Sequence, residues 1–167
     1  MAGSRGEMIM TISEFRENIP TFIEQAIATG KKITEGKTVL SPSLSRISDL
    51  DGIIEYLHSL WEKKLISDDV AWNVSVPFGV LLGEMIINEH HFHWVMKDGL
   101  PVVETDEGNQ LSPITKVNKI ITDEDSSEGS PTTFYEGFLA LQKYQNMSDE
   151  EKERITTYIS GHETIGE

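Results

Sequence analysis

Cysteine is absent from this chain of 167 residues, which excludes disulfides and thiolate chemistry and leaves packing alone to hold the fold. A reducing compartment suits such a chain, so a cytoplasmic location is the expectation. Long apolar runs are missing too. The best candidate is interrupted by Pro77, Gly79, Gly83 and Glu84, short of the roughly 20 apolar residues that a membrane span requires. Basic residues are scarce: 14 Lys and Arg stand against 28 Asp and Glu, for a net charge of −14. From residue 104 onward 14 acids face 5 bases, a local net of −9. Such a field repels nucleic acid and attracts a basic protein partner, although acidity also serves solubility alone. Aromatic residues fall mostly at core-facing periods without interleaved Arg or Lys, which argues against a single-strand nucleic-acid platform. The glycines form neither a phosphate-binding loop nor a dinucleotide fingerprint, and no Gly-x-Ser-x-Gly elbow occurs. No cofactor is implied.

What is present is a central apolar post. Over residues 77–87 the large apolar side chains project on nearly every side of a helical wheel, as expected of a helix enclosed by the rest of the chain. Before it, Ile12, Phe15, Ile19, Phe22, Ile23, Ala26 and Ile27 predict an amphipathic helix over about 11–29, interrupted at Pro20 and stopped by Gly30. A loop follows to Arg46. Ser48 reads as the N-cap of a second helix whose stripe runs from Leu50 through Leu57 and Trp61 to Leu65. Ser67-Asp68-Asp69 caps the post helix, which is expected to bend or break near Pro77. Gly79 and Gly83 share one side of it and would admit another backbone closely.

After His90 the period changes to two. Phe92, Trp94 and Met96 share one face of a strand, His91, His93, Val95 and Lys97 the other. Asp98-Gly99 then predicts a two-residue hairpin turn that pairs His93 with Glu104, Trp94 with Val103 and Val95 with Val102. A short third strand is expected near Gln110-Leu111. Ser112-Pro113 and Ser130-Pro131 each open a helix, with an acidic, aperiodic and mobile loop between them. Ser148-x-x-Glu151 is a capping box for the last helix. The fold class expected is α+β: one mostly helical domain over residues 11–160, with an antiparallel hairpin or three-stranded sheet on a central helix. Helices 11–29 and 48–66 would cover one side of the post and the hairpin another. Residues 1–10 read as an appended or disordered start, and 161–167 as a frayed tail.

Chemistry could reside in Glu89-His90-His91-x-His93. His91 and His93 with Glu104, or with Glu89, could ligate zinc. Alternatively, imidazoles at a helix C-terminus and a His93–Glu104 cross-strand pair explain the same residues without a metal. Glu84, the one charge inside the post, could be a raised-pKa acid or base, or could hydrogen-bond a Lys, Arg, Trp N–H or backbone donor.

The order Leu82-Gly83-Glu84, Trp94-Val95, Pro101-Val102-Val103, Pro113 with Val117 and Lys119, then Phe134-Tyr135 resembles small bacterial α+β domains of uncharacterised function. The resemblance covers residues 82–135 and carries no catalytic residues. Several such acidic proteins are found near polymorphic toxin or contact-dependent inhibition genes, so it implies an immunity-like role. Two functions are therefore expected in competition. One is a non-enzymatic interaction protein, immunity or antitoxin-like, that meets a basic toxin domain through Asp106, Glu107, Asp123, Glu124, Asp125 and Glu128. The other is a metal-dependent or carboxylate hydrolase built on His91, His93, Glu84 and Glu104.

Overall fold

The computed structural model describes residues 10–165, with side chains described to residue 160. The expectations for residues 1–9 and for the last two residues therefore lie outside the described residues. Among these, six α-helices and one three-stranded antiparallel sheet make a mostly helical α+β fold. By packing, the chain falls into two compact units, Met1–Phe134 and Tyr135–Glu167.

In the first unit α1 spans Ile12–Ile33 and begins with a reciprocal capping box between Thr11 and Glu14. α1 is one helix rather than two short ones at Pro20, and the expected stop at Gly30 does not occur, since the helix runs through both. Gly30 is buried, and a Cβ there would lie 2.9 Å from Leu40 Cδ1, so this glycine serves close packing. α2, Ser48–Glu62, starts one residue earlier than expected. Its N-cap position is Ile47 rather than Ser48 and carries no side-chain cap, while Asp49 Oδ2 in the first turn reaches back to accept from the Arg46 N–H at 2.8 Å. It also ends before Leu65, which leaves the helical stripe and is 68% exposed.

α3, Asp68–Glu89, is capped by Ser67, whose hydroxyl accepts from the Val70 N–H. The helix continues through Pro77. Proline within a helix costs about 3 kcal/mol, but twelve residues of α3 are buried. At about 1.5–3 kcal/mol for each large apolar side chain, their burial outweighs the lost bond. By length and composition α3 could cross a bilayer, yet most of its apolar stretch is buried inside the chain.

The sheet comprises β1, His93–Lys97, β2, Leu100–Glu104, and β3, Gln110–Leu111, in that spatial order. The expected register holds at each predicted pair: His93 faces Glu104, Trp94 faces Val103 and Val95 faces Val102. Asp98 and Gly99 both adopt positive φ, at 52° and 78°, the geometry that makes this dipeptide a hairpin turn. β1 begins at His93 rather than near His91, because α3 extends to Glu89 and the chain turns through His90 and His91. β3 pairs only with Val103 and Glu104, which leaves Pro101 outside any ladder that would need its missing N–H.

α4, Pro113–Ile121, packs along α3, and α2 packs chiefly on α4. The covers of α3 are therefore α4 and α1, not α1 and α2. The glycines of α3 explain the difference. A Cβ on Gly79 would stand 2.4 Å from Ile114 Cα, so the α4 backbone lies directly on this position. Asn118 of α4 donates to Ser75 Oγ at 3.2 Å, and Ser75 donates to the Ala71 carbonyl, which satisfies the buried hydroxyl.

α5, Pro131–Gln145, has its start in the first unit. Ser130 and Thr133 exchange side-chain to backbone bonds there, and Asp51 accepts from both the N–H and the hydroxyl of Thr132. In the second unit Ser148 and Glu151 form the expected capping box of α6, Asp149–Ile165. α6 thus continues past Gly161, where a frayed tail was expected to begin.

Candidate functional site

The histidine cluster does not assemble as a metal centre. His93 Nε2 lies 3.5 Å from Glu104 Oε1, and Glu104 Oε2 accepts from Gln110 at 2.9 Å, so a cross-strand pair takes up this carboxylate. His91 is exposed in the bend before β1, and His90 stacks on Phe92 with ring centroids 4.5 Å apart. Among the described residues no three His, Asp or Glu side chains stand together as a ligand set.

Glu84 takes the structural option. Its Oε2 accepts from Trp94 Nε1 at 3.0 Å. Trp94 is 4% exposed, meets Phe15 edge to face at 4.9 Å, and lays its six-membered ring over Gly83. Arg16 donates to the Trp94 carbonyl at 2.9 Å. In the observed register Trp94 and Val103 form a pair without mutual backbone bonds, so this carbonyl points outward from the sheet edge. Glu84 and Arg16 thus fix one tryptophan where α1, α3 and β1 meet.

The six acids nominated from the sequence sit on two loops. Asp106 and Glu107 are exposed in the β2–β3 turn, which Thr105 closes by accepting from the Asn109 and Gly108 N–H groups. The other four occupy residues 122–130, and they divide by role. Asp123 accepts from the Glu128 N–H at 2.7 Å and the Asp125 N–H at 3.1 Å. Glu128 pairs with Lys116 Nζ at 2.8 Å. Glu124 and Asp125 are exposed. Far from lacking internal structure, the loop is folded around one carboxylate.

The backbone N–H of Glu128 holds the Asp123 carboxyl below its ordinary value, against the opposing effect of partial burial; the Asp125 and Ser127 N–H groups and the nearby His58 add to the lowering. A lowered folded value means that the contribution of this carboxylate is complete at neutral pH and disappears as pH falls through that value. The Glu128 amide should therefore stay protected from exchange at neutral pH and lose protection only in acid, below the ordinary 3.8. In Asp123→Asn the loop should lose this acid response. A Glu128 amide that titrates identically in wild type and Asp123→Asn would refute the arrangement.

Two depressions border this loop. One, of about 210 Å³, is lined by Asp51, Glu55, His58, Asp123, Ser126 and neighbours. His58 Nδ1 lies 3.0 Å from the Ile121 carbonyl, which can only accept, so Nδ1 carries a proton. Nε2 then faces Glu62 at 3.3 Å and Ser126 Oγ at 3.5 Å. Ser126 and His58 have the composition of a nucleophile and base, but the surroundings oppose acyl transfer. Asp51, Glu55 and Asp123 are carboxylates that would destabilise an oxyanion, and the N–H groups of Asp125 and Glu128 already point at Asp123. The other depression, of about 570 Å³, is lined by Trp61, Glu62, Leu65, Ile66, Asp68 and Glu124 among others.

Comparison with family models, curated proteins and solved structures finds no match. Functional roles rest on these side chains alone. Sequence reasoning took Trp61 and Leu65 as members of the apolar stripe of α2 and passed over His58 and Glu62, which lie outside that stripe. The early end of α2 at Glu62 is what turns Leu65 to solvent.

Proposed function

We propose that this chain is a non-enzymatic interaction protein that binds a basic protein partner through its acidic surface, most concretely as an immunity or antitoxin-like protein. The observation that supports this reading is the internal order of residues 122–130. Asp123 and Glu128 are satisfied inside the loop, whereas Glu124 and Asp125 are exposed. An anionic loop already held in shape loses little conformational freedom on binding, and its charge accelerates encounter with a cationic surface.

Co-expression with the product of a neighbouring open reading frame tests the reading. A growth-arresting basic product should be neutralised by the wild-type chain. Glu124→Lys together with Asp125→Lys should slow association by about tenfold or more and flatten its salt dependence. Asp123→Glu is the control for loop shape, because it keeps the charge and displaces the carboxylate. Neutralisation that survives the double charge reversal unchanged would remove this loop from the interface.

A further inference from the structure

We infer that the depression between the end of α2 and residues 122–130 is the docking seat for the partner, and that its occupant is a basic amphipathic segment which places an apolar side chain against Trp61 and Leu65. The inference rests on the interaction reading above and gives it a location that the six nominated acids do not supply.

α2 ends in a tight backbone motif. Lys64 adopts a left-handed φ of 62°, its N–H reaches the Trp61 carbonyl at 2.9 Å, and the Leu65 N–H reaches the Leu60 carbonyl at 2.8 Å. In this motif the residue at the Leu65 position ordinarily turns back onto the residue at the Leu60 position. Here the backbone is fixed as usual, yet Leu65 is 68% exposed. Trp61 lines the same depression: its indole N–H donates to Asp68 Oδ1 at 2.7 Å, and its ring stacks against His58 with centroids 6.2 Å apart. A tryptophan is the residue type that most often anchors a protein interface, and here a solvent-facing leucine lines the same depression and extends its apolar surface.

Charge selects the occupant. Glu62, Asp68 and Glu124 rim the depression against one base, Lys64. Glu62 is 61% exposed, and Glu124 brings the anionic loop to the same rim. The adjoining smaller depression adds Asp51, Glu55 and Asp123. A neutral apolar segment would bring no opposite charge to the exposed Glu62 and Glu124 on the rim, and a purely cationic one would leave Leu65 in water. A segment that alternates Lys or Arg with Leu or Val satisfies both.

The test uses the whole chain and two synthetic peptides, one of lysine and leucine in helical amphipathic order and one of lysine alone with equal charge. Tryptophan emission, assigned with Trp61→Phe, reports occupancy. The amphipathic peptide should perturb Trp61 and bind about tenfold or more weakly to Leu65→Asp, whereas the weaker binding of the lysine peptide should not be reduced by that substitution, which adds a negative charge. Leu65 is exposed, so Leu65→Asp should keep the wild-type urea midpoint. Tight binding of the amphipathic peptide with equal affinity for wild type and Leu65→Asp would overturn the docking seat. If that binding still falls in Glu124→Lys with Asp125→Lys, the acidic-surface reading survives without this seat. Failure of both peptides to bind at low ionic strength would sink both.

Discussion

Gly79→Ala is expected to lower the unfolding free energy by roughly 2–3 kcal/mol, a net figure that already includes the gain in helix propensity. On propensity alone the substitution should stabilise α3 by about 1 kcal/mol. The sign is reversed by what the new methyl would meet. It would lie 2.4 Å from Ile114 Cα and 2.8 Å from Ile114 N, and a backbone cannot move aside as a flexible side-chain tip can. α4 would have to lift from α3 and disturb the Ser75–Asn118 bond and the burial of Val117. Gly52 of α2 supplies the contrast, because a Cβ there has nothing within 4 Å. Gly52→Ala should stabilise by about 0.5–1 kcal/mol. Urea unfolding reads both: one midpoint should fall by about 1–2 M and the other should rise slightly, at unchanged m. Two stabilising alanines would show that α4 does not lie against Gly79.

The second large effect is a coupling. Gly83→Ala places a methyl 2.2 Å from Trp94 Cη2, on a ring held by Glu84 and Phe15. In the wild-type background the loss should be about 2–3 kcal/mol. Trp94→Phe should itself cost about 2–3 kcal/mol, because it opens a cavity and leaves the Glu84 carboxylate without the indole donor. Combined, the two changes should cost clearly less than their sum, since the methyl enters space that the shorter ring vacates. A coupling energy of about 2 kcal/mol in the double-mutant cycle is the expected result. Additivity within about 0.5 kcal/mol would mean that Trp94 does not cover Gly83.

These glycines show how much of the fold was legible. Their spacing on one side of α3 pointed to a close approach there, and Gly79 meets a backbone as anticipated. At Gly83 the visitor is a tryptophan ring, from a strand whose register the Asp98-Gly99 turn had already specified. Glu84 was narrowed to a set of partners that included a Trp N–H. Nothing in the order of residues could choose Trp94 from that set, because the choice depends on where β1 passes over α3. The candidate site was less legible. Its anionic loop was located correctly as a segment, but the division between inward Asp123 and Glu128 and outward Glu124 and Asp125 follows from turns that composition does not encode.

By itself the sequence determined the local elements: the helical stripes, the hairpin register, the Pro113 and Pro131 starts and the Ser148–Glu151 cap. Each is set by steric or hydrogen-bonding preferences acting over a few residues. Tertiary structure alone decided that α4 rather than α2 lies on α3 and that α1 runs on through Gly30. These outcomes depend on atomic fit between segments distant along the chain, where a gap the size of one methyl group decides which helix can approach.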